Sequence, residues 1–165
     1  MIMVFGVARL TGRVMTMEDL MPTRTANTAW TGTLETGSGQ VALTSSDVGS
    51  FEVSFPRRAA DEAEGVTSPE ELIAAAHSAC YAMQLSAVIA RSGGTPGSLD
   101  VKAAVSLGPD PAGGFRITGI LITVRGKVEG MDEAGFVEAA NTAKETCPVS
   151  KALTGTQITL DAALA

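Results

Sequence analysis

The sequence predicts an α+β fold built on antiparallel sheet. Three observations lead there. Short β-type segments open the chain, a long apolar helix pattern with clear start and stop signals occupies its centre, and two longer strand patterns flank a Gly/Pro-rich turn. A second helix pattern and a closing strand complete the order βββ-α-ββ-α-β.

The elements follow in order. Residues 26–34 place Trp30 among threonines, and residues 40–44 follow a Gly37-Ser38-Gly39 turn. Residues 50–55 alternate Phe51, Val53 and Phe55 with Glu52 and Ser54, the period-two pattern of a half-buried strand. Gly and Ser clusters between these segments read as a meander. Residues 59–66 form a polar, acidic linker. Ser68-Pro69-Glu70-Glu71 then starts a helix: Ser68 suits the N-cap, Pro69 the first helical position, and Glu71 completes a capping box. The helix should reach about Ser92 and stop at Gly93-Gly94, a span of roughly 35 Å. It is apolar nearly all round, so burial on every side is expected, inside a sheet or against a partner's helix. Residues 98–107 and 115–126 read as strands joined through residues 108–114. A second helix opens at Met131 or Asp132 and runs to about Thr146, where Cys147-Pro148 interrupts it. A short turn over residues 149–153 and a strand over residues 156–163 end the chain.

The chain has 165 residues, 45% of them hydrophobic, enough for one domain with a real core, placed at residues 21–165. A charged share of only 18% suggests that a second copy covers part of the surface. The net charge of -6 repels phosphate backbones and argues against a nucleic-acid partner. Arg57-Arg58 is the only adjacent basic pair, and Asp61, Glu62 and Glu64 follow it. The apolar run over residues 1–8 is too short to span a bilayer. It has neither the basic lead nor the small-residue cleavage site of a signal peptide. Residues 1–20 are expected to be a poorly ordered extension, with Met21 a possible working start, and the protein to be cytoplasmic and free of membrane spans.

Two cysteines, Cys80 and Cys147, are too few for a secreted disulfide framework. Zinc would need two further ligands, and His77 is the sole histidine. In a reducing compartment such a pair is either two buried small hydrophobes or a redox couple. Composition alone favours the first.

The two cysteine-centred segments change that balance. Around Cys80 the chain reads Ser68-Pro69-Glu70-Glu71-Leu72-Ile73-Ala74-Ala75-Ala76-His77-Ser78-Ala79-Cys80-Tyr81-Ala82-Met83. Around Cys147 it reads Lys144-Glu145-Thr146-Cys147-Pro148-Val149-Ser150-Lys151-Ala152-Leu153. Together they closely resemble the OsmC/Ohr family of organic hydroperoxide reductases, and its OsmC branch most. Trp30-Thr31-Gly32-Thr33-Leu34 and Ile158-Thr159-Leu160-Asp161 are similar to that branch too. The resemblance implies an intertwined homodimer, with antiparallel sheets wrapped around long central helices. It implies reduction of organic hydroperoxides to alcohols with no metal, flavin or haem. Regeneration would come from a dithiol reductant, in the Ohr branch typically a lipoylated protein.

It also implies roles. Cys80 would attack the peroxide and become a sulfenic acid, and Cys147 would resolve that acid to a disulfide. A mid-helix thiol gains little from the helix dipole, so a cation must activate it. The family uses an arginine held by a glutamate. The glutamate matches Glu70, and the aromatic-x-x-Arg pattern matches Phe55-Pro56-Arg57-Arg58, selecting Arg58 with Arg57 as the alternative. Glu70 and Cys80 lie ten residues apart, roughly 15 Å along one helix, so a bent helix or a site shared between subunits is required. Two rival readings stay open. One is a non-enzymatic, ligand-binding domain with structural cysteines. The other is a cysteine hydrolase with His77 as base, since His77 shares a helix face with Cys80.

Overall fold

The structure, a computed structural model, describes residues 21–165. The expected extension over residues 1–20 lies outside the described residues. The chain divides into two compact units, one ending at Ala59 and one spanning Ala60–Ala165.

The first unit holds strands β1 (Asn27–Thr31), β2 (Ser38–Ala42) and β3 (Ser50–Val53), then a single helical turn, α1 (Phe55–Arg58). The strands form the expected antiparallel meander in the order β1-β2-β3. The alternation read at residues 50–55 is only half realised. Val53 is buried, Phe51 is 40% exposed, and the pattern ends at Ser54, which caps α1 through its hydroxyl. Strands of four or five residues cannot enclose aromatic side chains within one three-stranded layer. Trp30 is likewise open, 43% exposed.

The second unit begins with α2 (Pro69–Arg91). Ser68 Oγ accepts from the Glu71 backbone N–H at 3.1 Å, as the capping box requires. The Glu71 carboxylate is engaged elsewhere, accepting from Thr67 Oγ1 at 2.5 Å. Gly93, at φ 87°, ends the helix in the left-handed conformation that glycine adopts without strain. Strands β4 (Thr95–Pro109) and β5 (Phe115–Glu129) form one long antiparallel hairpin, extending beyond both expected segments.

Next come α3 (Glu133–Thr146), α4 (Pro148–Ala152) and β6 (Ile158–Leu164). The sheet order is β4-β5-β6, and β6 runs parallel to β5. The expected antiparallel pairing holds for β1-β2-β3 and β4-β5, and β6 adds one parallel neighbour. The two helices carry the chain back across the sheet, and a helical crossover is the connection parallel neighbours need.

The core of this unit lies between the sheet face bearing Ile120, Ile122 and Val124 and the helices, with Tyr81, Leu85, Ile89 and Phe136 fully enclosed. By length and composition α2 could cross a membrane, yet it buries Glu70 and His77 and packs on β4, α3 and α4. Burial on every side, expected from its composition, is not found within the chain. His77, Tyr81, Leu85, Val88 and Ile89 form one buried stripe, whereas Ala76, Ala79, Met83 and Ala90 on another stripe are exposed. One sheet and two neighbouring helices cover only one side of a cylinder.

Gly126 lies directly against the enclosed Phe136 ring. A Cβ there would lie 2.6 Å from Cε2 of the enclosed Phe136 ring. Gly126→Ala is expected to destabilise the fold by about 1–3 kcal/mol, because the ring must shift in a filled core. A lower midpoint of urea unfolding at unchanged slope checks this, and an unmoved midpoint contradicts it.

Candidate active site

Pro148 shapes the site. A residue before proline is pushed out of the helical region, and Cys147 sits at φ -61°, ψ 125°, closing α3 and capping α4. This break sets the Cys147 side chain against α2. There Cys80 Sγ lies 3.3 Å from Cys147 Sγ. Both cysteines are free thiols; Cys147 is fully buried and Cys80 partly exposed. A disulfide bond is about 2.05 Å long, so closing the pair needs roughly 1.2 Å of further approach.

Two side chains that follow Cys80 on α2 fasten that helix to α3. Tyr81 Oη donates to the Ala140 carbonyl at 2.9 Å, and Gln84 Nε2 donates to Thr146 Oγ1 at 2.8 Å. Thr146 Oγ1 in turn donates to the Thr142 carbonyl at 2.6 Å. One clamp is buried and the other lies at the surface.

The two sulfurs share hydrogen-bond distance, and their surroundings separate them. Burial pushes the Cys80 thiol up, and charge on Cys147 adds to that. Burial acts on Cys147 in the same direction but is outweighed by donors. The Ser150 backbone N–H, the Cys80 thiol, the Ser150 hydroxyl and the Val149 N–H together bring Cys147 below its ordinary value. The neighbouring Tyr81 hydroxyl is pushed up, first by burial and then by charge on Cys147.

The expected residues are thus partly assembled. Cys80 and Cys147 meet. Glu70 is buried at the first turn of α2, ten residues before Cys80 on one uninterrupted helix. A sharp bend in α2 is thereby removed as a way to join them. Arg57 and Arg58 are half-buried in α1 of the first unit. His77 does not serve Cys80. Its Nε2 lies 2.8 Å from Ser150 Oγ, so a hydrolase pair of His77 and Cys80 loses its base. Ser150 is a site residue that the sequence does not single out. The available signal is its position three residues after Cys147, the N-cap-to-N3 spacing that brings two side chains together.

Comparison with known proteins places the chain in a family. The family profile described as OsmC, OsmC-like protein, matches residues 61–161. The chain is 41% identical over 132 residues to Peroxiredoxin OsmC of Escherichia coli (strain K12), covering 80% of this chain and 90% of that protein. It is 35% identical over 104 residues to the Organic hydroperoxide resistance protein of Xanthomonas axonopodis pv. citri (strain 306), covering 62% of this chain and 70% of that one. Among solved structures, the Organic Hydroperoxide Resistance Protein OhrB of Bacillus subtilis superposes with a TM-score of 0.65 at 30% identity, over 84% of this chain and 97% of that one. The chain belongs to the OsmC family.

His77 is fully buried, and burial holds its imidazole below the usual histidine range. The unfolded chain therefore takes up a proton near pH ~6.5 while the folded chain does not. Stability from this group is fully present above that pH and is lost as pH falls towards the lower folded value. The urea midpoint is expected to drop between pH 7 and pH 5.5, and to drop less in His77→Gln. An equal drop in both proteins counts against the assignment.

Proposed function

We propose that this protein is a thiol-dependent peroxidase that reduces organic hydroperoxides to alcohols and so protects against oxidative stress. The observation that carries the reading is the 3.3 Å approach of two free thiols 67 residues apart in sequence. The names of its relatives, a peroxiredoxin and organic hydroperoxide resistance proteins, point the same way.

The chemistry runs in three steps. Cys80 thiolate attacks one peroxide oxygen, the O–O bond breaks, and the alkoxide leaves and is protonated to the alcohol. Cys147 thiolate then attacks the sulfur of the Cys80 sulfenic acid. The S–S bond forms, the S–O bond breaks, and the oxygen leaves as hydroxide that becomes water. A dithiol reductant, such as a lipoylated protein, returns two electrons to the disulfide by thiol exchange. That return needs a reducing compartment, and we place the protein in the cytoplasm.

Burial works against a thiolate on Cys80, so the first step needs a cation at that sulfur. Arg58, held by Glu70, supplies it in this reading and also steadies the departing alkoxide; Arg57 is the alternative. A straight α2 separates Glu70 from Cys80 by roughly 15 Å, so Glu70 serves the Cys80 of a second subunit. The homodimer has independent support in the exposed stripe of Ala76, Ala79 and Met83, whose alanines allow close helix approach, and in the open Trp30 and Phe51.

Treatment with one equivalent of cumene hydroperoxide should consume both thiols and yield a Cys80–Cys147 disulfide on peptide mapping. Free thiols beside unconsumed peroxide would remove the peroxidase reading and leave a binding domain. Cys147→Ser should stop at the sulfenic acid. For the crossed site, a heterodimer of Glu70→Ala and Cys80→Ser chains should retain about half the activity, because one complete site survives. If half survives only when both lesions share a chain, the site is not crossed.

A further inference from the structure

His77 has one partner and one orphan. Its Nε2 lies 2.8 Å from Ser150 Oγ, while Nδ1 is buried without a hydrogen-bond partner among the described residues. The ring is neutral, since burial disfavours its charged form. A neutral imidazole carries one N–H and one bare nitrogen. Placing the proton on Nδ1 would bury an unsatisfied donor, an arrangement folded proteins rarely tolerate. Placing it on Nε2 leaves only an unused lone pair at Nδ1. The proton therefore belongs on Nε2, and His77 donates to Ser150.

That choice fixes the next bond. With its oxygen accepting from His77, the Ser150 hydroxyl has its own hydrogen to give. Ser150 is nearly fully buried on the first turn of α4, three residues after Cys147. Cys147 is the N-cap of that turn and Ser150 its third residue, the spacing that sets an N-cap side chain beside the one at N3.

We infer that His77 and Ser150 form a one-way donor relay, from His77 Nε2–H to Ser150 Oγ–H to Cys147 Sγ, that holds Cys147 as the nucleophile of the disulfide-forming step. Both are positioning residues, acting through Cys147. The inference rests on the reading of Cys147 as the resolving thiol and assigns its activation to two residues outside the cysteine, arginine and glutamate set. The titratable groups set against Cys147 from α2 are Cys80 and Tyr81, both uncharged when protonated, so hydrogen bonds hold its charge. The two cysteines are thus prepared by different means, a proposed cation at Cys80 and neutral donors at Cys147.

The test begins in a Cys80→Ser background, where Cys147 is the one remaining thiol and its ultraviolet thiolate absorbance can be titrated. Ser150→Ala should move that titration up by about one to two pH units, the worth of one hydrogen bond to a charged group. Ser150→Thr, which keeps the hydroxyl, should bring the midpoint most of the way back, and His77→Gln should move it less than His77→Leu. An unmoved titration in Ser150→Ala, or no rescue by Ser150→Thr, overturns the relay. Should Ser150→Ala not fold, nitrogen-15 spectra of the unaltered protein still decide the direction. A ring proton on Nε2 supports the relay, and one on Nδ1 overturns it. None of these readouts uses peroxide, so failure of the peroxidase reading and failure of the relay are separately visible. With wild-type Cys80 and one equivalent of cumene hydroperoxide, Ser150→Ala should slow disulfide formation by about tenfold, as the thiolate fraction of Cys147 falls.

Discussion

The second unit depends on one constraint: two helices must hold sulfur atoms 3.3 Å apart without joining them. The chain meets it with a rigid element and a broken one. α2 is a single uninterrupted helix that presents Cys80 mid-length, where its backbone is hydrogen-bonded within the helix. The facing segment is interrupted at Cys147 because Pro148 cannot follow a helical residue comfortably. Tyr81 and Gln84, one and four residues after Cys80, then tie the two helices together. The break has a second effect. It starts a new helical turn, with Cys147 at its N-cap and Ser150 as its third residue.

Much of this was legible in the residues. Ser68-Pro69 fixed the start of α2 and Gly93 its end, because caps and prolines act locally and leave a local trace. Cys147-Pro148 announced the helix break for the same reason. Features set by distant partners were less legible. The parallel pairing of β6 depends on where the crossover delivers the chain, and the strand's own residues suit either direction. The outer stripe of α2 reads as core by composition, but a composition states only that something covers it. At the site, the cysteines were visible as motifs, whereas Ser150 was not. A serine in a helix is common, and its use appears only when His77, 73 residues earlier, is seen at its oxygen.

Two fully buried polar side chains of α2 find partners across the helix junction: Tyr81 binds to the Ala140 carbonyl, His77 to Ser150. Each bond ties α2 to the segment around Cys147, so stability and site geometry draw on the same contacts. The Arg125–Asp161 pair joining β5 to β6 is different. It is bidentate, with its nearer contact at 2.9 Å, but open to solvent, and it organises the sheet edge rather than the reacting sulfurs.

Gly126 and Phe136 occupy what is in effect a single volume, since the ring lies where a side chain at residue 126 would begin. Neither position is free to drift alone over evolutionary time. A lineage that acquired even a methyl group at 126 would need a smaller or displaced side chain at 136 to keep the core filled. The two residues should therefore change together across related sequences, as a coupled pair ten positions apart that joins the sheet to α3 and takes no part in sulfur chemistry.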